Sequence, residues 1–132
     1  MPQLPSILRG IVGAVLGGAL GSAVRALCVS WLAPDTSAPL HLSSYPWALM
    51  AVNTLGCYLA SRWLSGGLSG RDVSDARRLT MVSGFLGGLT SYSGLWVAID
   101  KVATVSWVGA LATLVCSLAL GTLAVVMGAR RS

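Results

Sequence analysis

The chain has almost no negatively charged side chains. Only 10% of its 132 residues are charged, glutamate is absent, and the acidic residues are Asp35, Asp72, Asp75 and Asp100. None of them lies in the middle of a long apolar run, and the one histidine, His41, lies between two such runs. A proton-coupled transporter normally needs an ionisable group inside the membrane. The sequence also lacks a catalytic triad, a phosphate-binding loop and a zinc motif, so we expect no enzymatic activity.

What the chain has instead is apolar sequence in long blocks. Hydrophobic residues make up 55% of it, and a helix needs about 20 mostly apolar residues to cross a bilayer. Four blocks qualify, and they predict membrane spans at about residues 10–32, 47–64, 79–99 and 102–128. We therefore expect an all-α, multi-pass protein of the plasma membrane, in which residues 1–132 form a single four-helix transmembrane domain.

The positive charges are concentrated on one side of these four spans. Seven arginines fall at the two ends of the chain or between the second and third spans: Arg9, Arg62, Arg71, Arg77, Arg78, Arg130 and Arg131. The opposite side has Lys101, with Arg25 inside the first span toward that side. Because loops rich in Lys and Arg stay in the cytoplasm, both termini are expected to be cytoplasmic. This placement favours a lipid membrane as the partner and argues against nucleic acid.

The third block contains the most unusual segment of the chain. Residues 84–93 read GFLGGLTSYS, with three glycines and four hydroxyl groups where a lipid-facing helix carries Leu, Ile and Val. Each glycine costs a helix about 1 kcal/mol, so the pair Gly87-Gly88 predicts that the backbone unwinds there. Unwound backbone inside a membrane is tolerated only where protein, ion or water satisfies it. A helix broken at mid-membrane therefore predicts an ion or substrate site.

Polar groups in the other spans allow two interpretations each. Asn53 in the second span either bridges helices or donates its amide N–H to a passing anion. Thr113 and Ser117 in the fourth span share a face with Gly109 and Gly121 at steps of four residues, which suits helix packing or a polar track. Arg25 either extends toward the membrane surface or lines an aqueous vestibule that attracts anions.

The groups left inside the predicted spans are neutral. Hydroxyl and amide donors replace part of an anion's hydration without holding it tightly, and conduction needs weak, multi-site binding. Carbonyl groups freed near Gly87 are acceptors and would instead prefer a cation. The sequence thus favours conduction of an anion beside a bound cation.

The motifs resemble those of the Fluc/CrcB fluoride channels. GFLGGLTSYS resembles that family's GFxGGxTTFS, VNTLG at residues 52–56 resembles its VNxxG, and GSAVR at residues 21–25 resembles its GxxxR. The resemblance implies a fluoride-selective channel that lets cytoplasmic fluoride leave the cell and so reduces its toxicity. It also implies a dimer of inverted subunits with two pores.

The same resemblance assigns roles to individual residues. It implies a structural sodium ion held by the backbone carbonyls of Gly87 and Thr90. The fluoride pore is implied to contain residues from three spans, namely Asn53, Ser91, Tyr92, Thr113 and Ser117. The family has two pore phenylalanines, at the positions of Tyr92 and Leu95, so Leu95 is a degenerate pore position.

The departures from the family pattern and the bias in positive charge both bear on the partner with which this subunit pairs. A subunit that pairs with an inverted copy of itself must insert both ways, whereas a bias of seven against two favours one orientation. We therefore expect this chain to be one half of a heterodimer with an oppositely oriented paralogue, which supplies the missing pore aromatic.

Two alternatives from other classes stay open. A small multidrug antiporter also has four spans and inverted pairing, but it predicts a glutamate in the first span, where this chain has none. A non-conducting membrane partner subunit would leave the predicted break in the third span without a purpose.

Overall fold

A computed structural model describes residues 4–32, 46–65 and 75–130. The predicted outer loop at 33–45, which contains His41, lies outside the described residues. The same holds for most of the predicted cytoplasmic connection between the second and third spans, and for the two chain ends. The side of the membrane on which these segments lie therefore stays a prediction.

The first, second and last of the long helices are continuous. They are α1 (Leu4–Leu32), α2 (Trp47–Leu64) and α6 (Trp107–Ala129). At 1.5 Å per residue, the 29 residues of α1 extend about 43 Å. α6 begins after Ser106, whose Oγ accepts a hydrogen bond from the backbone N–H of Gly109 at 3.0 Å. This contact satisfies one of the free N–H groups at the start of the helix.

The third predicted span is built from several pieces. α3 (Asp75–Arg78) runs into a π-helix (Leu79–Leu86), which is followed by α4 (Gly87–Leu89). The next two residues are extended, with φ and ψ of −84° and 142° at Thr90 and −141° and 106° at Ser91. α5 (Tyr92–Ala103) then begins. A π-helix of this length is rare, and π segments are frequent at functional sites.

The interruption lies two residues beyond the glycine pair. Gly87 and Gly88 are themselves helical, which corrects the expectation that the backbone unwinds at this pair. The chain leaves the helix where Ser91 is able to cap the next one, because its Oγ accepts from the N–H of Gly94 at 2.9 Å. Side-chain capping of this kind competes with the helical hydrogen bonds of the backbone.

Three segments of the described chain are long and apolar enough to cross a membrane: Ile7–Leu32, Thr80–Ala103 and Trp107–Ala129. They contain most of the first, third and fourth predicted spans, and they make this a multi-pass membrane protein. α2 is also a helix, but Asn53 and Arg62 lower its mean hydropathy. Its crossing of the membrane stays a prediction.

Glycines bring α1 and the π-helix into backbone contact. A Cβ added to Gly21 would meet the backbone oxygen of Phe85, and one added to Gly84 would lie 2.9 Å from Cα of Ala14. A Cβ on Gly88 would meet the backbone of Gly18. Glycines of the first span, such as Gly21 and Gly18, therefore allow close helix packing.

This contact predicts that Gly88→Ala destabilises the protein. The added methyl group would lie 3.0 Å from Cα of Gly18, and overpacking of this kind costs about 1–3 kcal/mol. Gly18→Ala is the matched control, because its Cβ would meet only the oxygen of Gly84 at 3.9 Å. We expect thermal unfolding in detergent to shift to lower temperature for Gly88→Ala and to stay within about 2 °C for Gly18→Ala. Equal melting curves for the two variants would contradict this packing.

Candidate ion-binding groove

A groove of about 500 Å³ opens between α2, the junction of α4 with α5, and α6. Its apolar wall includes Met50, Leu95, Leu118, Val125 and Val126. Its polar wall is made of neutral groups, namely Asn53, Thr54, Thr90, Ser91, Tyr92, Ser117 and Thr122. Four of the predicted fluoride-pore residues thus share one concave surface, and none of the described residues that line it is acidic or basic.

Asn53 holds the interruption of the third span in place. Its side-chain N–H donates to the backbone oxygen of Ser91 at 3.2 Å, and its Oδ1 accepts from the N–H of Ser91 at 2.9 Å. The extended backbone at Ser91 has left the helix and needs partners for both groups. The amide of Asn53 satisfies the N–H, and it shares the oxygen with the backbone N–H of Leu95, which donates at 3.2 Å. Asn53 is therefore a bridge between α2 and the third span. Because a primary amide has two N–H donors, one of them remains for another acceptor.

Further hydrogen bonds fix Ser91 and the residue before it, Thr90. Ser91 is buried, and its Oγ lies 3.3 Å from Oγ of Ser93 in addition to capping α5. The N–H and the Oγ1 of Thr90 both donate to the oxygen of Leu86, each at 3.0 Å. This network gives the two extended residues a defined conformation.

Two carbonyl groups beside the interruption remain unpaired. Within the described part of the chain, no hydrogen bond reaches the oxygens of Gly87 or Thr90. Gly87 is exposed on the surface of the chain and Thr90 is half-buried. The described residues contain no cluster of His, Cys, Asp or Glu suited to a metal ion. A cation at this place would therefore be held by backbone oxygen atoms.

Tyr92 and Leu95 on α5 differ in how far they are buried. Tyr92 is 67% exposed and lines the groove with its ring. Leu95 is only 5% exposed and belongs to an apolar cluster with Met50 and Ile99, although it also contributes to the groove wall. The predicted degenerate position is thus mainly a core position in this chain.

The polar residues of α6 divide between the groove and the core. Ser117 lines the groove, and its buried Oγ has no hydrogen-bond partner among residues 4–32, 46–65 and 75–130. Thr113 is 4% exposed, its Oγ1 donates to the oxygen of Gly109 at 2.8 Å, and it is absent from the groove wall. Residues four apart on a helix point in directions that differ by about 40°. The positions at steps of four from Gly109 therefore do not all point to the same side of α6.

Thr122 is a groove residue that the spacing of polar residues in the sequence did not indicate. Thr122 follows Ser117 by five residues and lines the groove, with its Oγ1 donating to the oxygen of Leu118 at 2.8 Å. On a helical wheel at 100° per residue Thr122 lies about 40° from Leu118, which is also in the groove wall.

Arg25 is separate from the groove. It lies on α1, is half-buried, and does not belong to the groove wall. The structure does not bring it together with Asn53, Tyr92 and Ser117. Whether it lines a vestibule stays a prediction.

Comparison with known proteins points to one family. Residues 12–129 match the model of a family described as CrcB-like protein, Camphor Resistance (CrcB). Three similar proteins carry the name fluoride-specific ion channel FluC. The protein from Erythrobacter litoralis is 35% identical over 76% of this chain and 76% of its own length. Those from Cutibacterium acnes and Mycobacterium bovis, each named FluC 1, are 34% and 32% identical over 89% of this chain, and over 79% and 85% of their own lengths.

Proposed function

Since this chain belongs to the CrcB-like family, we propose that it is a subunit of a fluoride-selective ion channel. The channel allows fluoride to leave the cytoplasm passively and so reduces fluoride toxicity. The names of three similar proteins support this function. The observation in the structure that carries it is the Oγ of Ser117, a buried hydroxyl group for which the described residues supply no hydrogen-bond partner, on a residue in the wall of a groove lined by neutral polar groups.

The groove supplies hydrogen bonds to an anion without supplying a counter-charge. The hydroxyl of Ser117, the hydroxyl of Tyr92 and the second N–H of Asn53 are donors within the same wall. A buried lysine or arginine in this wall would hold an anion tightly, whereas neutral donors bind it weakly enough for it to leave. This balance suits a passive channel and does not require coupling to protons.

An inverted dimer would complete the pore. The groove is open along one side, where Tyr92 exposes most of its ring, and an ion path through a membrane has to be closed against lipid. We propose that a second subunit of opposite orientation closes it, and that this subunit is a paralogue because of the charge bias of seven against two. In this arrangement both termini of the present chain are cytoplasmic and α2 is its fourth membrane span.

The free carbonyls suit a structural sodium ion at the interface of that dimer. Hard cations take oxygen ligands, and the oxygens of Gly87 and Thr90 are unpaired beside an exposed surface. Two oxygen atoms leave room for ligands from a second subunit. The ion would hold the interrupted backbone and the two subunits together, and it would take no part in moving fluoride.

The function is tested by fluoride efflux from liposomes together with Ser117→Ala. We expect the wild-type subunit, reconstituted with its paralogue, to release fluoride and to retain chloride. Removing the free hydroxyl of Ser117 should reduce fluoride flux about tenfold, because a hydrogen bond to a charged group contributes about 1.5–3 kcal/mol.

Thr122→Val is the matched control for Ser117→Ala. It also removes a hydroxyl group from α6 in the groove wall, but that hydroxyl is already paired with Leu118. Its flux should stay within about twofold of the wild type. A wild-type pair that releases no fluoride would refute the channel function and favour the non-conducting alternative. A flux driven by a proton gradient would favour the antiporter.

A further inference from the structure

Trp96 differs from the other four tryptophans in its position along the helices. Trp31, Trp47, Trp63 and Trp107 each lie within two residues of a helix end. Tryptophan is enriched at this level of membrane helices, where the ring meets apolar chains and its N–H meets water. Trp96 lies inside the candidate span Thr80–Ala103, seven residues or about 10 Å before its end. Its depth does not suit an interfacial anchor.

Trp96 extends the aromatic surface of the groove. Its ring stacks on that of Tyr92, with centroids 6.4 Å apart and planes inclined by 22°. The two residues are four apart and so share one face of α5. Tyr92 is 67% exposed and Trp96 is 56% exposed, while the adjacent flank of α5, with Leu95 and Ile99, is buried. Tyr92 lines the groove itself, so Trp96, whose ring stacks on it, lies beside that wall.

The chemistry of this pair suits contact with an anion better than contact with lipid. An indole N–H left without a partner in hydrocarbon is costly, and no hydrogen bond of Trp96 occurs within the described residues. The ring edge of an aromatic side chain carries partial positive charge, and the indole nitrogen is only a donor. Both groups are attractive to a small anion and neither is charged.

We propose that Trp96 is a pore residue of this chain, with its N–H and ring edge directed at the ion path when a second subunit closes the groove. The inference rests on the proposed function and adds a position that the family motif does not contain. In this chain Trp96 provides the second ring beside Tyr92, one residue after the core residue Leu95. The partner subunit then need not replace that ring.

The first test measures fluoride flux in liposomes that contain both subunits. Trp96→Phe keeps a ring but removes the N–H, and we expect flux to fall about tenfold. Trp96→Leu removes the ring as well and should reduce flux further. Trp107→Phe is the matched control, since Trp107 lies at the start of α6, and it should stay within about twofold. Wild-type flux in Trp96→Leu would overturn the proposal while leaving the channel function intact.

The second test locates the ring without relying on conduction. In one variant Trp96 is the only tryptophan, and in another Trp107 is, with the remaining four replaced by phenylalanine. Lipids brominated on their acyl chains quench the fluorescence of rings that face lipid. We expect strong quenching of Trp107 and little quenching of Trp96 in the assembled dimer. Equal quenching of the two would overturn the proposal, and this arm decides it even if the wild-type pair releases no fluoride.

Discussion

Asn53→Asp is expected to abolish fluoride flux, with a loss of at least about a hundredfold. The carboxylate keeps the acceptor for the N–H of Ser91, which lies 2.9 Å from Oδ1 in the wild type. It loses the donor to the oxygen of Ser91 and the second N–H of a side chain in the groove wall. An ionised carboxylate also places a negative charge in a wall that has none. Like charges repel strongly where water is scarce, so an anion would no longer enter.

Asn53→Ala separates the structural role of this side chain, which is to hold the backbone of Ser91, from its role as a donor in the groove. It leaves the N–H of Ser91 without a partner, at a cost of about 1–3 kcal/mol, and leaves the oxygen of Ser91 with only the N–H of Leu95. Assembly as well as flux should therefore suffer. Asn53→Asp should assemble better than Asn53→Ala and still not conduct. Size-exclusion chromatography reports assembly, and a fluoride electrode reports efflux from liposomes.

Thr54→Val is the matched control for both variants at position 53. Thr54 is adjacent on α2 and also lines the groove, but its Oγ1 donates to the oxygen of Met50 at 2.8 Å within the helix. We expect assembly and flux close to those of the wild type. If Asn53→Asp conducted fluoride like this control, the groove would not be the ion path.

The second large effect is the absence of fluoride efflux that we expect when the chain is expressed without its paralogue. With seven positive charges on one side and two on the other, nearly all copies should insert with their termini in the cytoplasm. An inverted dimer then cannot form. We expect fluoride efflux to be absent from liposomes that contain this chain purified alone, and to appear when the oppositely oriented paralogue is expressed with it.

Orientation is measured with a C-terminal fluorescent-protein fusion, which is bright only in the cytoplasm. Replacing Arg77 and Arg78 by serine lowers the bias, and both side chains are exposed. This variant should therefore insert in both orientations while keeping its packing. It should also gain measurable efflux when expressed alone. Robust efflux by the unmodified chain without a partner would contradict the heterodimer.

Much of the candidate site was predictable because its residue types are unusual in apolar segments. Asn53, Ser91, Tyr92 and Ser117 stand out as polar groups in long hydrophobic blocks, and they line one groove. A polar group in a membrane span has to find a partner, which makes it noticeable without a structure.

Other site residues could not be assigned from spacing. Thr113 and Ser117 are related by one step of four, yet the first packs in the core and the second faces the groove. Leu95 and Trp96 are neighbours, and it is the tryptophan that stacks on Tyr92. Which face of a helix is covered depends on the neighbouring helices, and no single helix contains that information.

The sequence by itself determined the membrane class, the long helices and the neutral character of the polar groups, because length, apolarity and charge are local properties of the chain. Only the tertiary structure decided where the third span is interrupted and which side chains meet. The interruption at Thr90 and Ser91 depends on an amide from α2, 38 residues earlier in the chain. A backbone leaves a helix only where such a partner satisfies its freed groups, and the position of that partner is set by how the helices pack.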